Sequence, residues 1–313
     1  MIFRNTIRLL LTNFSNVWKV LLYYIICIAL TFGVCWVVAT PIVEELSQAK
    51  VFEDLGNFFN SFFSSPQGSV KGISDIINNA WQVITNNAQL KFNYIFFVIW
   101  LLVVFPFTLD LAQLALGEVL YGYMTSQVKY GFTGRFIKNI GKSCIYSLVR
   151  YFFMFVLNTI QFSLIIGIIK VASVGGILYF LLALLLLTLF ICFIAFKYTL
   201  VSCWMPSIAV LNCNVFAALK KNFKCVFKKF FNFFSNYLTL TITAVALNFM
   251  FCVFTFGVSL FVTLPLTAFV YVIFQMVSYF YSNGMRFYVY PDMFISPKKF
   301  EEQDKIKKIK FII

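Results

Sequence analysis

The chain has 313 residues, of which 61% are hydrophobic, 20% aromatic and only 12% charged, and it carries a formal net charge of +14. A soluble domain keeps about a quarter of its residues charged, so this composition excludes an ordinary globular protein, and the charge-free run from Phe230 to Met285 points to a membrane. The basic residues fall in short clusters between apolar runs rather than along one continuous groove, which argues against nucleic acid as a partner.

A helix needs about 20 mostly apolar residues, at about 1.5 Å each, to cross a hydrocarbon core of roughly 30 Å. Six stretches qualify, and the expected fold is an all-α, polytopic membrane helix bundle. The first covers about 18–40; its apolar part is too long for the core of a removed leader and no small-x-small cleavage site precedes Pro41, so it reads as a retained span. The loop 41–91 follows, and SSPQGS divides it into two halves with apolar residues at three- and four-residue spacing. Its sharp reading is an extracytoplasmic ligand site; the preferred one is a helical hairpin packed over the bundle mouth or resting in the outer headgroups.

The second span covers about 92–113, with Pro106 and Asp110 inside an apolar run that is too short to cross twice. The third covers about 146–169, VASVGG returns the chain into the fourth at about 176–200, and the fifth and sixth cover about 237–257 and 264–285 with a turn near 258–263. Pro106 and Pro265 read as kink or turn elements. Residues 291–313 form a basic tail.

Lysine and arginine counts in short loops set orientation. Arg4, Arg8 and Lys19, then Lys129, Arg135, Lys138, Lys142 and nearby Arg150, then Lys220, Lys221, Lys224, Lys228 and Lys229, then Arg286 and six tail lysines, all fall on one side of a six-span path. The other side holds Lys50, Lys71, Lys91 and Lys170 against Glu44, Glu45, Glu53, Asp54 and Asp75. Both termini are expected in the cytoplasm, and the abundance of lysine, asparagine, isoleucine and phenylalanine suggests a bacterial cell membrane.

Eight cysteines occur without a CxxC spacing and none lies in the 41–91 loop, so free thiols are expected; histidine is absent, which removes the commonest transition-metal ligand and general base. No cofactor is expected. TGRFIKNIGKS leaves six residues between Gly134 and Gly141, where a phosphate loop needs four. No HExxH, GxSxG or DxDxDG pattern occurs, and the chain reads as a non-enzyme.

An internal repeat carries the most specific signal. Arg4/Arg8, Lys138/Lys142 and Lys224/Lys228 are basic pairs at i and i+4, each soon followed by a span, and NFSNVW at Asn13–Trp18 echoes FFSNYL at Phe233–Leu238. At 100° per residue from Lys220, the lysines of ALKKNFKCVFKKFFNFFSNYL fill an arc from 0° to about 180°, with Cys225 and Phe231 among them. Leu219, Phe223, Val226, Phe227, Phe230, Phe233, Phe234 and Tyr237 fill about 220–340°. This is the pattern of a helix lying in the inner-leaflet boundary, with Arg4, Arg8, Lys138, Lys142, Lys220, Lys221, Lys224, Lys228 and Lys229 reaching anionic headgroups at about 1 kcal/mol per lysine. Lipids of the anionic inner leaflet and other membrane proteins are the expected partners.

Charged groups inside spans call for a role. Asp110 and Lys197 fall about 27–32 Å from the outer ends of their spans, so a pair between them, with Glu118 nearby, makes a candidate polar pocket. The plainer reading has Lys197 snorkelling to headgroups and Asp110 bonded locally.

At PSIAVLNCNVFAALKKNFKCVFKKFF the chain resembles a segment of bacterial six-span membrane proteins, including the YesL-like family and the membrane-anchor domain of glycerophosphodiester phosphodiesterases. In these, an amphipathic helix of the type ALKxSxxLxKxxF precedes a span. Ala218-Leu219-Lys220-Lys221 and Lys228-Lys229-Phe230 carry the likeness, with Asn222 where that pattern often has serine. The resemblance implies the topology and no catalytic residue, since the phosphodiesterase's hydrolase domain has no counterpart in this sequence. The function expected is therefore a structural or accessory component of a membrane complex or a lipid-interacting protein without a catalytic site, and the alternative is a small-solute or lipid transporter using the pocket near Asp110 and Lys197.

Overall fold

The computed structural model describes residues 2–64, 69–172, 177–290 and 293–295. The centre of SSPQGS, the VGG of the VASVGG turn and the basic tail beyond 295 lie outside the described residues. The protein is an all-α helical bundle, and among the described residues six helical segments are long and apolar enough to cross a membrane, Phe14–Gln48, Ala88–Ser126, Ile140–Ile168, Leu181–Leu211, Phe230–Phe254 and Leu260–Ser282. Each overlaps one of the six expected stretches.

Two of these segments run well beyond a hydrocarbon core. Helix α1 (Ile2–Thr12) is followed by α2 (Phe14–Gln48), which continues through Pro41 instead of ending there. Proline removes one donor from the ladder, but a membrane helix tolerates that where the freed carbonyl is otherwise satisfied. Helices α3 (Val51–Ser64) and α4 (Ser69–Asn86) form the two halves of the expected loop. Then α5 (Ala88–Ile99) passes through a π-helical turn, Trp100–Val104, into α6 (Phe105–Ser126). The turn widens where the Pro106 ring would press on the carbonyl of Leu102, and the Phe105 N–H reaches Trp100 O.

The remaining helices are α7 (Phe132–Lys138), α8 (Ile140–Ala172), α9 (Ile177–Leu200), α10 (Trp204–Leu211), α11 (Val215–Lys228), α12 (Phe230–Phe254) and α13 (Leu260–Ser282). The reversal between the last two falls at 255–259, earlier than the 258–263 expected, because Gly257 takes a φ of 88° that side-chain-bearing residues rarely adopt. An antiparallel hairpin, β1 (Phe287–Tyr290) and β2 (Met293–Ile295), follows, and the sequence offered no expectation of it.

The chain divides into two compact units: Met1–Ile25 with Leu109–Met154 and Ile191–Ile313, and Ile26–Thr108 with Phe155–Phe190. In the first, α13 is the central helix, with Phe269, Ile273, Phe274, Met276, Val277 and Phe280 all buried. Helix α1 packs along it, the Phe3 and Phe274 rings 5.2 Å apart. The hairpin closes against α1: Phe287 and Val289 are fully buried, Thr12 Oγ1 donates to Val289 O at 3.4 Å, and the Phe287 ring meets Phe280. Helices α12 and α13 are joined by polar contacts, Thr241 to Tyr271 at 2.9 Å and Asn248 to Thr267 at 3.0 Å, the usual adhesive between helices that hydrocarbon cannot drive together.

In the second unit Ile42, Ile84 and Leu90 form a small core with Leu46 and Tyr94 packed on it, and Trp81 sets its ring edge-on to Tyr94 at 5.8 Å. This core fastens α4 to α5 and to the end of α2. A polar cleft opens beside it, lined by Pro41, Glu44, Gln48, Asn87 and Gln89.

Candidate functional site

All three basic repeats lie in the first unit and share one construction. A short basic helix stops at a single residue, Asn13, Asn139 or Lys229, and a long apolar helix begins at the next. Helices α1 and α11 hold the pairs Arg4/Arg8 and Lys224/Lys228 whole, whereas Lys138 ends α7 and Lys142 sits in the first turn of α8. The shorter gap of the middle copy is thus the break falling inside the pair.

Helix α11 has three faces rather than the two its periodicity suggested. Val215, Ala218, Asn222, Cys225 and Val226, at about 140–240° from Lys220, turn toward the protein. Leu219, Phe216, Phe223 and Phe227 occupy about 260–340°, with Phe216 66% and Phe227 65% exposed. Lys220, Lys221, Lys224 and Lys228 occupy about 0–100° and are exposed. Cys225, expected among the lysines, faces inward. Phe233 and Tyr237, expected on the lipid side, are buried parts of α12, because the break at Lys229 resets the helical phase.

Asn222 explains the inward face. Its amide donates to Leu200 O at 2.6 Å and accepts from the Cys203 N–H at 2.9 Å, bracketing the turn after α9, where backbone groups would otherwise be buried unpaired. Trp204 Nε1 donates to Val215 O at 3.0 Å and locks α10 to α11.

Helices α1 and α7 also carry exposed apolar edges beside exposed cations: Ile7 and Leu11 with Arg4, and Ile137 with Lys138. Three of the basic residues expected at headgroups also have protein partners. The Arg8 guanidinium lies 5.4 Å over the Tyr290 ring, Lys142 Nζ donates to Asn212 Oδ1 at 2.6 Å, and Lys229 Nζ donates to the carbonyl of Ser282. The last contact sets a cation at the carbonyl end of α13, where the helix dipole favours it.

The polar-pocket residues separate into two clusters. Asp110 Oδ1 accepts from Arg150 Nη1 at 2.7 Å and from Gln113 Nε2 at 2.7 Å, so a cation that the sequence reading had not placed here, Arg150, is set against it. Glu118 lies eight residues further, about 12 Å along α6, and takes Asn139 Nδ2 at 2.6 Å and Arg135 Nη1 at 3.4 Å. It fastens α6 to the break between α7 and α8. Arg135 also stacks on the Tyr130 ring at 3.7 Å. Glycine at 122 makes room for that ring: a Cβ there would come within 2.2 Å of it.

Arg150 belongs to a buried polar stripe on α8 with Ser143, Tyr146 and Ser147. Such an inside-out face suits a helix whose other sides meet hydrocarbon. The hydroxyls of Ser143, Tyr146 and Ser147 and the Nε of Arg150 are buried without hydrogen-bond partners. Sequence reasoning had counted Arg150 with the loop cations; its spacing of seven and three residues from Ser143 and Ser147 was the available signal.

No family model, curated protein or solved structure matches this chain. Among the described residues there is also no group of three or more cysteine, aspartate or glutamate side chains that could hold a metal ion.

Proposed function

We propose that the protein is a non-catalytic, multi-pass component of the bacterial cell membrane that gathers anionic lipid along its three basic helices and so supports a membrane assembly. The carrying observation is the three-faced α11: one side bound to the protein, one apolar side with Phe216 and Phe227 exposed, one row of exposed lysines. A helix held this way presents rings to the acyl boundary and ammonium groups to headgroups together. The proposed kinship with YesL-like proteins agrees with this arrangement.

The test uses the full chain in nanodiscs of phosphatidylcholine with and without phosphatidylglycerol, with native mass spectrometry counting retained lipid. Wild type is expected to retain phosphatidylglycerol, and the variant Lys220→Gln/Lys224→Gln/Lys228→Gln to lose most of it. Equal retention by the two proteins overturns the reading. Orientation, with both termini cytoplasmic, is tested in a background cleared of native thiols. An impermeant maleimide applied to intact cells should label Ser64→Cys and spare Asn214→Cys; the reverse pattern inverts the topology.

A second reading, a solute or lipid carrier, is favoured by the buried Asp110–Arg150 pair and the unpartnered hydroxyls beside it. Asp110→Asn with Arg150→Gln removes both charges and keeps a polar amide at each position. A changed proton leak in proteoliposomes with unchanged lipid retention would select the carrier.

A further inference from the structure

Cys203, in the turn between α9 and α10, and Cys225, on α11, meet sulfur to sulfur. Cys203 ends the turn after α9 and is fully buried, while Cys225 lies on the inward face of α11 and is partly exposed. The Cys203 thiol donates to the Cys225 sulfur at 3.1 Å. On the open side, Ser282 Oγ stands 3.6 Å from the Cys225 sulfur, and Lys229 holds its ammonium close by through the Ser282 carbonyl.

We propose that Cys203 and Cys225 form an oxidisable dithiol, with a small peroxide as oxidant, whose disulfide ties α11 to the turn that closes α9. The inference is independent of what α11 binds. The division of labour follows from access: Cys225 can meet a solute, and Cys203 can meet only Cys225. The Cys203 hydrogen bond, with those from Ser282 and Asn283 and the Lys229 charge, pushes the Cys225 thiol down to about 6 against the opposing pull of burial. The shift favours the thiolate, which is the attacking species.

The chemistry balances. The Cys225 thiolate attacks one peroxide oxygen, the O–O bond breaks, and the departing oxygen leaves as water after taking a proton; Cys225 becomes a sulfenic acid. The Cys203 sulfur then attacks the Cys225 sulfur, the S–S bond forms, the S–O bond breaks, and a second water carries away the hydroxyl with the Cys203 proton. Two thiols lose two electrons and two protons, and one peroxide becomes two waters. The sulfurs need to approach by only about 1 Å to reach a bond of about 2.04 Å. Closure encloses α10 and most of α11 in one covalent loop and fixes the inward face that Asn222 already brackets.

The experiment exposes the purified full-length protein in detergent micelles to hydrogen peroxide, blocks remaining thiols and maps the peptides. The expected result is a loss of two hydrogen masses, reversed by a dithiol reductant, and a linked peptide joining Cys203 to Cys225. Cys225→Ser should abolish that loss. In Cys203→Ser the oxidised Cys225 should persist as a sulfenic acid captured by a dimedone probe. Cys203 is fully buried, so its variant can fail to fold; the wild-type map decides the question without it. A link between other cysteines in place of this one, no link at all, or the same mass loss in Cys225→Ser overturns the proposal.

Discussion

The two compact units of this chain contain helices of the same apolar kind and differ in how charge is used. Of the 25 basic and 11 acidic residues, the second unit holds four and five, namely Lys50, Lys71, Lys91 and Lys170 with Glu44, Glu45, Glu53, Asp54 and Asp75. The first unit holds the remaining 21 and six, so the net charges are +15 and −1. The ion pairs Asp110–Arg150 and Glu118–Arg135 join different helices of the first unit with side chains 8–24% exposed. The pair Lys50–Glu53 in the second unit is 3.9 Å long, three residues apart in sequence, and more than 70% exposed. The pairs Asp110–Arg150 and Glu118–Arg135 connect helices of the first unit, whereas in the second the small core around Ile42, Ile84 and Leu90 connects α2, α4 and α5.

That contrast predicts graded effects. Arg150→Met is expected to be the most damaging substitution, because it leaves the part-buried Asp110 carboxylate with Gln113 as its remaining donor; removing one partner of a fully buried pair costs about 3–5 kcal/mol, and partial exposure places this one toward the low end. Denaturant unfolding in micelles should register it, and adding Asp110→Asn should recover most of the loss. If the double variant is no better than the single one, Arg150 serves something other than that carboxylate.

Asn222→Leu comes next. It leaves the Leu200 carbonyl and the Cys203 N–H unpaired, at about 1–3 kcal/mol for each unsatisfied group. Hydrogen exchange should quicken along α11 and across 200–204, while the second unit keeps its protection. Exchange that quickens equally in both units would mean that the two are not separate in stability.

Charge removal on the lysine face should be smaller and conditional. Each of Lys220→Gln, Lys224→Gln and Lys228→Gln is expected to weaken association with anionic bilayers by about 1 kcal/mol, and to leave neutral bilayers unaffected. The matched substitutions Lys50→Gln and Lys91→Gln in the second unit should leave lipid retention unchanged in both. The smallest effect is expected for Lys50→Gln on stability, since an exposed pair within one helical turn contributes little; an unfolding midpoint indistinguishable from wild type is the expected reading.

Much of the architecture was legible because a membrane imposes a coarse rule. Length and apolarity alone identify segments such as Phe230–Phe254 and Leu260–Ser282, and the basic pairs announce the three short helices. The site was less legible. Periodicity taken across ALKKNFKCVFKKFFNFFSNYL assumes one unbroken helix, and the break at Lys229 turns Phe233 and Tyr237 inward. Arg150 was read as a loop cation because a positive charge near a span end has the same sequence signature whether it reaches headgroups or a buried carboxylate. The hairpin escaped because FYVY is too short to separate from the apolar run before it, and its burial depends on α1, nearly three hundred residues away in sequence.

The sequence by itself determined that this is an all-helical membrane protein, how many segments could cross, and where its positive charge gathers, since each follows from the summed preference of long runs for water or hydrocarbon. Only the tertiary structure decided that Asp110 faces Arg150, that Glu118 faces Arg135 and Asn139, that Asn222 brackets the turn after α9, and that Cys203 meets Cys225. A single pairing turns on ångström-scale approach between distant segments, and a helical break of one residue is enough to redirect every side chain that follows it.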